Sequence, residues 1–205
     1  MKQNIYKRYT YLFGNEEVHM TIADTIRSRR SIRSFNTQPV STDLIVELLN
    51  DAVWAPNHGM REPWRFILAE RAEAKEHVAS LMLESVQNMK LMKLMPGKLQ
   101  QALKNKFSRM PAHLIVVMKN EKDHHKQEED YAAVSCVIQN FQLLAWEQGL
   151  GMIWSTMEYI HSPIFCEGLS VKSDERIVGV LHMGYFDKTP KPKSRTSAEQ
   201  KLTLL

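Results

Sequence analysis

The chain has 205 residues, 43% of them hydrophobic, with 27 Lys and Arg against 23 Asp and Glu, a net charge of +4 and a pI near 9.0. That is enough apolar sequence for one substantial core, and its basic residues are too dispersed for a nucleic-acid surface. Cys136 and Cys166 lie far apart and read as reduced thiols of a cytoplasmic protein, with no metal site, and no apolar run approaches the length of a membrane span.

The first residues, MKQNIYKRYTYLFGNEEVH, are too polar for a secretory signal. Patterned sequence starts only at Met20, and the codons of Glu16-Glu17-Val18 can spell a bacterial ribosome-binding sequence just upstream of it. Met20 is therefore the expected natural start, residues 1–19 an extension that is not native or is poorly ordered, and residues 20–205 a single domain.

Thr21 and Asp24 form a capping box for a first helix carrying Ile22 and Ile26, which should stop near Arg30. A second helix is expected over residues 42 to 54, capped by Ser41 and ended by Pro56, with Leu44, Ile45, Leu48, Leu49, Ala52 and Val53 on its apolar face. The loop APNHGMREPW leads to a short strand over residues 65 to 70. A long helix follows over residues 72 to 95, broken by Pro96-Gly97, with Met82, Met89, Met92 and Met95 as core or interface filler. Residues 98 to 110 read as helix or mobile lid. AHLIVVMK is a buried strand by its unbroken apolar run. The next helix, residues 128 to 148, is apolar around most of its circumference, which predicts burial on all sides or a second subunit against it. MIWSTM reads as strand or loop, SPIFCEGL as a short helix started by Ser162 and Pro163, ERIVGVLHMGY as a strand, and the proline-punctuated basic tail as extended. No repeat and no dinucleotide-binding glycine motif is present. The element order implies an α+β fold with a small sheet against helices.

Chemistry concentrates in SRRSIRSF. If residues 31 to 35 are extended, Ser31 and Arg33 project to one side, where Arg29 can join them. Guanidinium forks bind phosphate in a bidentate manner. Taken alone, the cluster equally describes cations at a helix C-terminus facing water. Residues 188 to 195 form a second basic cluster, which can close on the same anion or remain a solvated tail.

The order of these pieces resembles that of the nitroreductase family of FMN-dependent oxidoreductases, over roughly residues 20 to 197. That family opens with a helix and R-x-S-x-[RK], here Arg29-Arg30-Ser31-Ile32-Arg33. It continues with P-S-x-x-N-x-Q-P-W-x-F, here PNHGMREPWRF from Pro56 to Phe66, and then a strand ending in an acidic residue, here FILAE. It closes on a glycine-bearing strand and basic tail, here IVGVLHMGYFDKTPKPKSR. The P-N-H of the second motif is nearest to the compact branch of the family.

The resemblance implies a mostly antiparallel central sheet flanked by helices and an intertwined homodimer with FMN at its interface. Arg29, Ser31 and Arg33 would hold the phosphate and ribityl chain, Arg30 would add backbone or ring contacts, and Lys193 and Arg195 would complete the phosphate site. Pro56, Asn57, His58 and Met60 would reach the FMN of the partner subunit, and Ile153, Trp154 and Ser155 would flank the ring. Glu62 and Met60 depart from the family's glutamine and asparagine. The implied activity is ping-pong transfer of hydride from NAD(P)H, through the flavin, to nitroaromatics, quinones or related electrophiles, with no certain side-chain catalyst. Alternatives are a same-fold flavoenzyme for one metabolite (dehydrogenase or dehalogenase type), a non-catalytic flavin-binding protein and, last, a nucleic-acid-binding module.

Overall fold

A computed structural model describes residues 20–205; the expectations for residues 1–19 lie outside the described residues. Among the described residues, seven α-helices surround four strands. In chain order these are α1 (Ile22–Ser28), α2 (Thr42–Ala52), β1 (Trp64–Ala69), α3 (Ala72–Val86), α4 (Lys90–Leu94), α5 (Gly97–Ser108), β2 (Ala112–Lys119), α6 (His124–Glu147), β3 (Leu150–Ser155), α7 (Pro163–Gly168) and β4 (Glu175–Tyr185). The sheet order is β1-β2-β4-β3 and every neighbouring pair is antiparallel.

The unbroken apolar run of β2 follows from helices covering both faces of the sheet. Leu114, Val116 and Met118 pack with Ile45 and Leu48 of α2 and with Val137, Ile138 and Phe141 of α6. Ile115 and Val117 face the opposite layer, where Val78, Leu81 and Met82 of α3 meet Phe165 of α7. A bulge adjusts this alternation on β4: Val116 pairs with Gly179 and Val117 with Ile177, leaving Val178 without a partner residue.

Helix α1 is closed at its start by the expected capping box, Thr21 accepting from Asp24 N–H and Asp24 accepting from Thr21 N–H. Its inward face is Thr25 rather than its isoleucines: Ile22 is 76% exposed and Ile26 52%. The predicted helix over residues 72 to 95 is two helices. Gln87 and Asn88 are polar and exposed, and Met89 turns into the extended region before α4 begins. Helix α6 starts earlier than expected, at His124, because Asp123 accepts from His125 N–H and Lys126 N–H. It is buried on one side only. Its nine buried residues recur at spacings of three and four from Asp130 to Trp146, while Ala132, Cys136 and Gln139 are exposed. Among the described residues, no helix is long and apolar enough to cross a membrane.

Candidate anion-binding site

The R-x-S-x-R motif is placed by the end of α1 and by β3. Arg29 leaves helical geometry at φ −55° and ψ 136° while its N–H still donates to Thr25 C=O. The chain then runs beside β3. Ser31 bridges Met152 in parallel, and Ile32 N–H donates to Met152 C=O at 3.0 Å. Ile32 is buried against Trp146 and Phe186, so Ser31 and Arg33 fall on the other side, as an extended segment requires. The close approach depends on Gly151: a Cβ there would stand 2.5 Å from Ile32 Cγ1 and 2.6 Å from the Phe186 ring.

Beside this segment lies a cavity of about 570 Å³. Arg29, Arg30, Ser31 and Arg33 line one side, and Lys193 and Arg195 arrive from the tail. Five of these were expected from sequence at a phosphate and Arg30 beside the ring or its backbone; the fold brings all six together across more than 160 positions. Lys191, with Pro190 and Pro192, comes from the basic 188–195 cluster; Arg27 also lines the cavity, and sequence reasoning missed it because it sits one step outside the recognisable motif. The lining therefore holds seven cations and no carboxylate. Burial, and then repulsion from Arg30 and Arg195, hold the Arg29 guanidinium below its ordinary pKa. The Nε atoms of Arg29 and Arg30 are buried without a hydrogen-bond partner. Two orphaned donors in a field of like charge suit an anion with several acceptor oxygens.

The second motif stands apart from this cavity within the chain. Pro56, His58 and Met60 are exposed and Asn57 is half-buried, on a turn spanning His58–Met60. Gly59, Met60 and Glu62 have φ of 63°, 52° and 45°, left-handed values that strain the two side-chain-bearing residues. Two contacts hold the loop in this shape. Asn57 Oδ1 accepts from Glu62 N–H at 3.1 Å, the backbone contact that leaves Glu62's carboxylate in solvent. Arg61 donates through Nε to Asp130 Oδ1 at 2.8 Å and through Nη2 to Glu129 Oε2 at 2.9 Å, tying the loop to α6. Asp130 is only 2% exposed, so Arg61 is its charge partner in the interior. His58 Nδ1 adds a contact to Glu129 Oε1 at 3.2 Å, and hydrogen bonding from Arg61 is the main reason the Glu129 carboxyl lies below its usual range.

Ile153, Trp154 and Ser155 sit on β3, immediately following the Ser31–Met152 bridge, outside the cavity lining. Trp154 lies across Gly179, where a Cβ would collide with its indole, and its Nε1 is buried without a partner. The Ser155 hydroxyl is turned inward. It meets the Tyr159 hydroxyl at 2.9 Å, which meets His182 Nε2 at 3.3 Å. His182 Nδ1 is 2.8 Å from His113 Nδ1, and His113 Nε2 is 3.1 Å from Phe107 C=O at the end of α5. Only Nε2–H of His113 can donate to that carbonyl, so the neutral ring accepts at Nδ1, and His182 carries its proton on Nδ1. Burial pushes His113 down to about 4 and His182 down to about 3, so both rings are neutral. Burial likewise pushes the Tyr159 phenol up to about 12. Among the described residues, no group of His, Cys, Asp and Glu could hold a metal ion.

Comparison with known proteins places the chain by family and fold. The nitroreductase family profile matches residues 26–185. YfhC of Bacillus subtilis, whose name assigns it to the NAD(P)H nitroreductases, is 35% identical over 189 residues, covering 90% of this chain and 94% of that protein. The crystal structure of a nitroreductase-like family protein from Bacillus cereus superposes with a TM-score of 0.85 at 39% identity, covering 93% of this chain and 98% of that one. The FMN- and 3-iodo-L-tyrosine-bound iodotyrosine deiodinase shares the fold, with a TM-score of 0.68 at 19% identity over 86% of this chain and 96% of that one. Motif order, sheet topology and full-length similarity coincide: this chain belongs to the nitroreductase family.

Proposed function

We propose that the protein is an FMN-dependent oxidoreductase that takes hydride from NAD(P)H and delivers it to nitroaromatics, quinones or related electrophiles in a ping-pong cycle. The observation that carries this reading is the carboxylate-free cavity with two orphaned guanidinium donors. Its residues fit the phosphate of FMN: Arg29, Arg33, Lys193 and Arg195 would hold the anion, Ser31 would add a neutral contact, and Arg30 would reach the ribityl chain or ring edge. Bound FMN would supply the hydride-accepting centre, which these side chains cannot provide. The Ile153–Ser155 backbone would border the ring, the Ser155 hydroxyl being already engaged by Tyr159.

The working unit is a homodimer, with residues 20–205 acting as one domain. Trp54 is 87% exposed and Met60 73%, and Ile22, Ile26 and Met157 add further apolar surface that a second copy would cover. The strained loop from Pro56 to Met60 would then meet the partner's flavin. Cys136 and Cys166 are free, which suits a reducing cytoplasm. The purified protein is expected to be yellow, to hold close to one FMN per subunit and to bleach on addition of NADPH without oxygen. A colourless protein that refuses added FMN would overturn the assignment; bound flavin that neither NADH nor NADPH bleaches would indicate a non-catalytic carrier.

A further inference from the structure

We propose that the same cavity takes a second phosphate beside the cofactor's, and that Arg27 and Lys191 thereby select NADPH over NADH as the reductant. This rests on the cradle holding the FMN phosphate.

Arg29, Arg33, Lys193 and Arg195 would already set four cations against a phosphate of about −1.5 to −2, with Arg30 beside them. Arg27 and Lys191 raise the lining to seven, in a chain whose net charge is only +4, so positive charge is concentrated here beyond what one phosphate needs. None of the ion pairs among the described residues involves Arg27 or Lys191. The nearest carboxylate in sequence, Asp24, is held chiefly by the Thr21 cap; Arg27 acts on it as a weaker electrostatic neighbour and forms no ion pair with it. The backbone fixes where both side chains start. Arg27 stands in the last turn of α1, and Lys191 lies between Pro190 and Pro192, whose rings fix φ and stiffen the tail.

NADPH differs from NADH only by a 2′-phosphate on the adenosine ribose. A nicotinamide stacked on the flavin leaves that end of the molecule free to lie along the cationic wall. The extra dianion would then meet two exposed cations that form no ion pair, and NADH would not use them. Steering toward the cavity adds to the effect, and both contributions fall with salt.

The test uses flavin-loaded protein and a simple quinone acceptor, comparing kcat/KM for NADPH and NADH at low ionic strength. NADPH is expected to be favoured about tenfold, the equivalent of two partly exposed phosphate contacts. The ratio should shrink as NaCl is raised. Calorimetry gives a readout independent of turnover: 2′,5′-ADP should bind about tenfold more tightly than 5′-AMP, a difference of the same origin. In the Arg27→Gln/Lys191→Gln double variant both preferences should collapse toward unity while FMN content per subunit is retained. Equal use of the two reductants by the wild type, or a preference that survives the double substitution, overturns the inference and leaves the flavin assignment standing. A protein that holds no FMN overturns both.

Discussion

Acidification should destabilise this protein well above the pH at which its carboxylates titrate, through His113 and His182. In the unfolded chain each imidazole has a pKa near 6.5. In the fold burial lowers His113 to about 4 and His182 to about 3. Both folded values lie below the unfolded one, so the unfolded state binds more protons, and stability is lost as the pH falls from 6.5 toward 4. At pH 5 an exposed imidazole is 1.5 pH units below its pKa, which at 1.36 kcal/mol per unit favours unfolding by about 2 kcal/mol for each ring, about 4 kcal/mol for the pair. That is a large share of the 5–15 kcal/mol typical of a folded domain. The assay is urea unfolding followed by circular dichroism at pH 7, 6 and 5, with FMN at fixed concentration. A His113→Gln/His182→Gln variant, which keeps amide hydrogen-bonding groups but cannot titrate, serves as the reference. The wild type should lose about 4 kcal/mol more than this variant between pH 7 and 5. Parallel pH dependences in the two proteins would refute the reasoning, as would imidazolium nitrogen shifts from the folded protein at pH 5.

Three further outcomes are expected. If Arg29 holds the FMN phosphate as proposed, Arg29→Ala removes a charge-assisted contact of about 1.5–3 kcal/mol, and equilibrium dialysis should find FMN bound roughly ten- to hundredfold more weakly. Gly151→Ala forces a methyl group against Ile32 and Phe186, and should destabilise by about 1–3 kcal/mol, read as a lowered midpoint in thermal unfolding. Arg61→Leu leaves the buried Asp130 without its cation and frees the strained loop. Amide hydrogen exchange over residues 57 to 62 should rise, and Arg61→Lys should restore part of the protection.

Local pattern carried much of the architecture and little of the tertiary chemistry. β2 and β4 were legible to the residue, because covered strands show as unbroken apolar runs between polar ends. The split between α3 and α4 was not, since Gln87 and Asn88 are tolerable in a helix and only the exposed polar turn they form decides against continuity. Ile22 and Ile26 have the spacing of a core face but lie on the surface of the chain. The arginine motif was visible as composition. Its closure by Lys191, Lys193 and Arg195 depends on where the tail returns, which no local spacing encodes. The same holds for Arg61 and Asp130, 69 positions apart, and for His113 and His182. Each histidine looks unremarkable in an apolar strand until antiparallel register sets the two directly opposite.

The row of polar groups from Ser155 through Tyr159, His182 and His113 ends on the carbonyl of Phe107. A carbonyl takes a hydrogen bond but has no proton to pass on or release, so this file of groups is a dead end for proton conduction. It works as an insulating brace behind β3: the side chains are locked in one sense, and nothing can be shuttled through the interior. On the proposed reading, protons consumed at the face of the strand would have to arrive from bulk water on the open side.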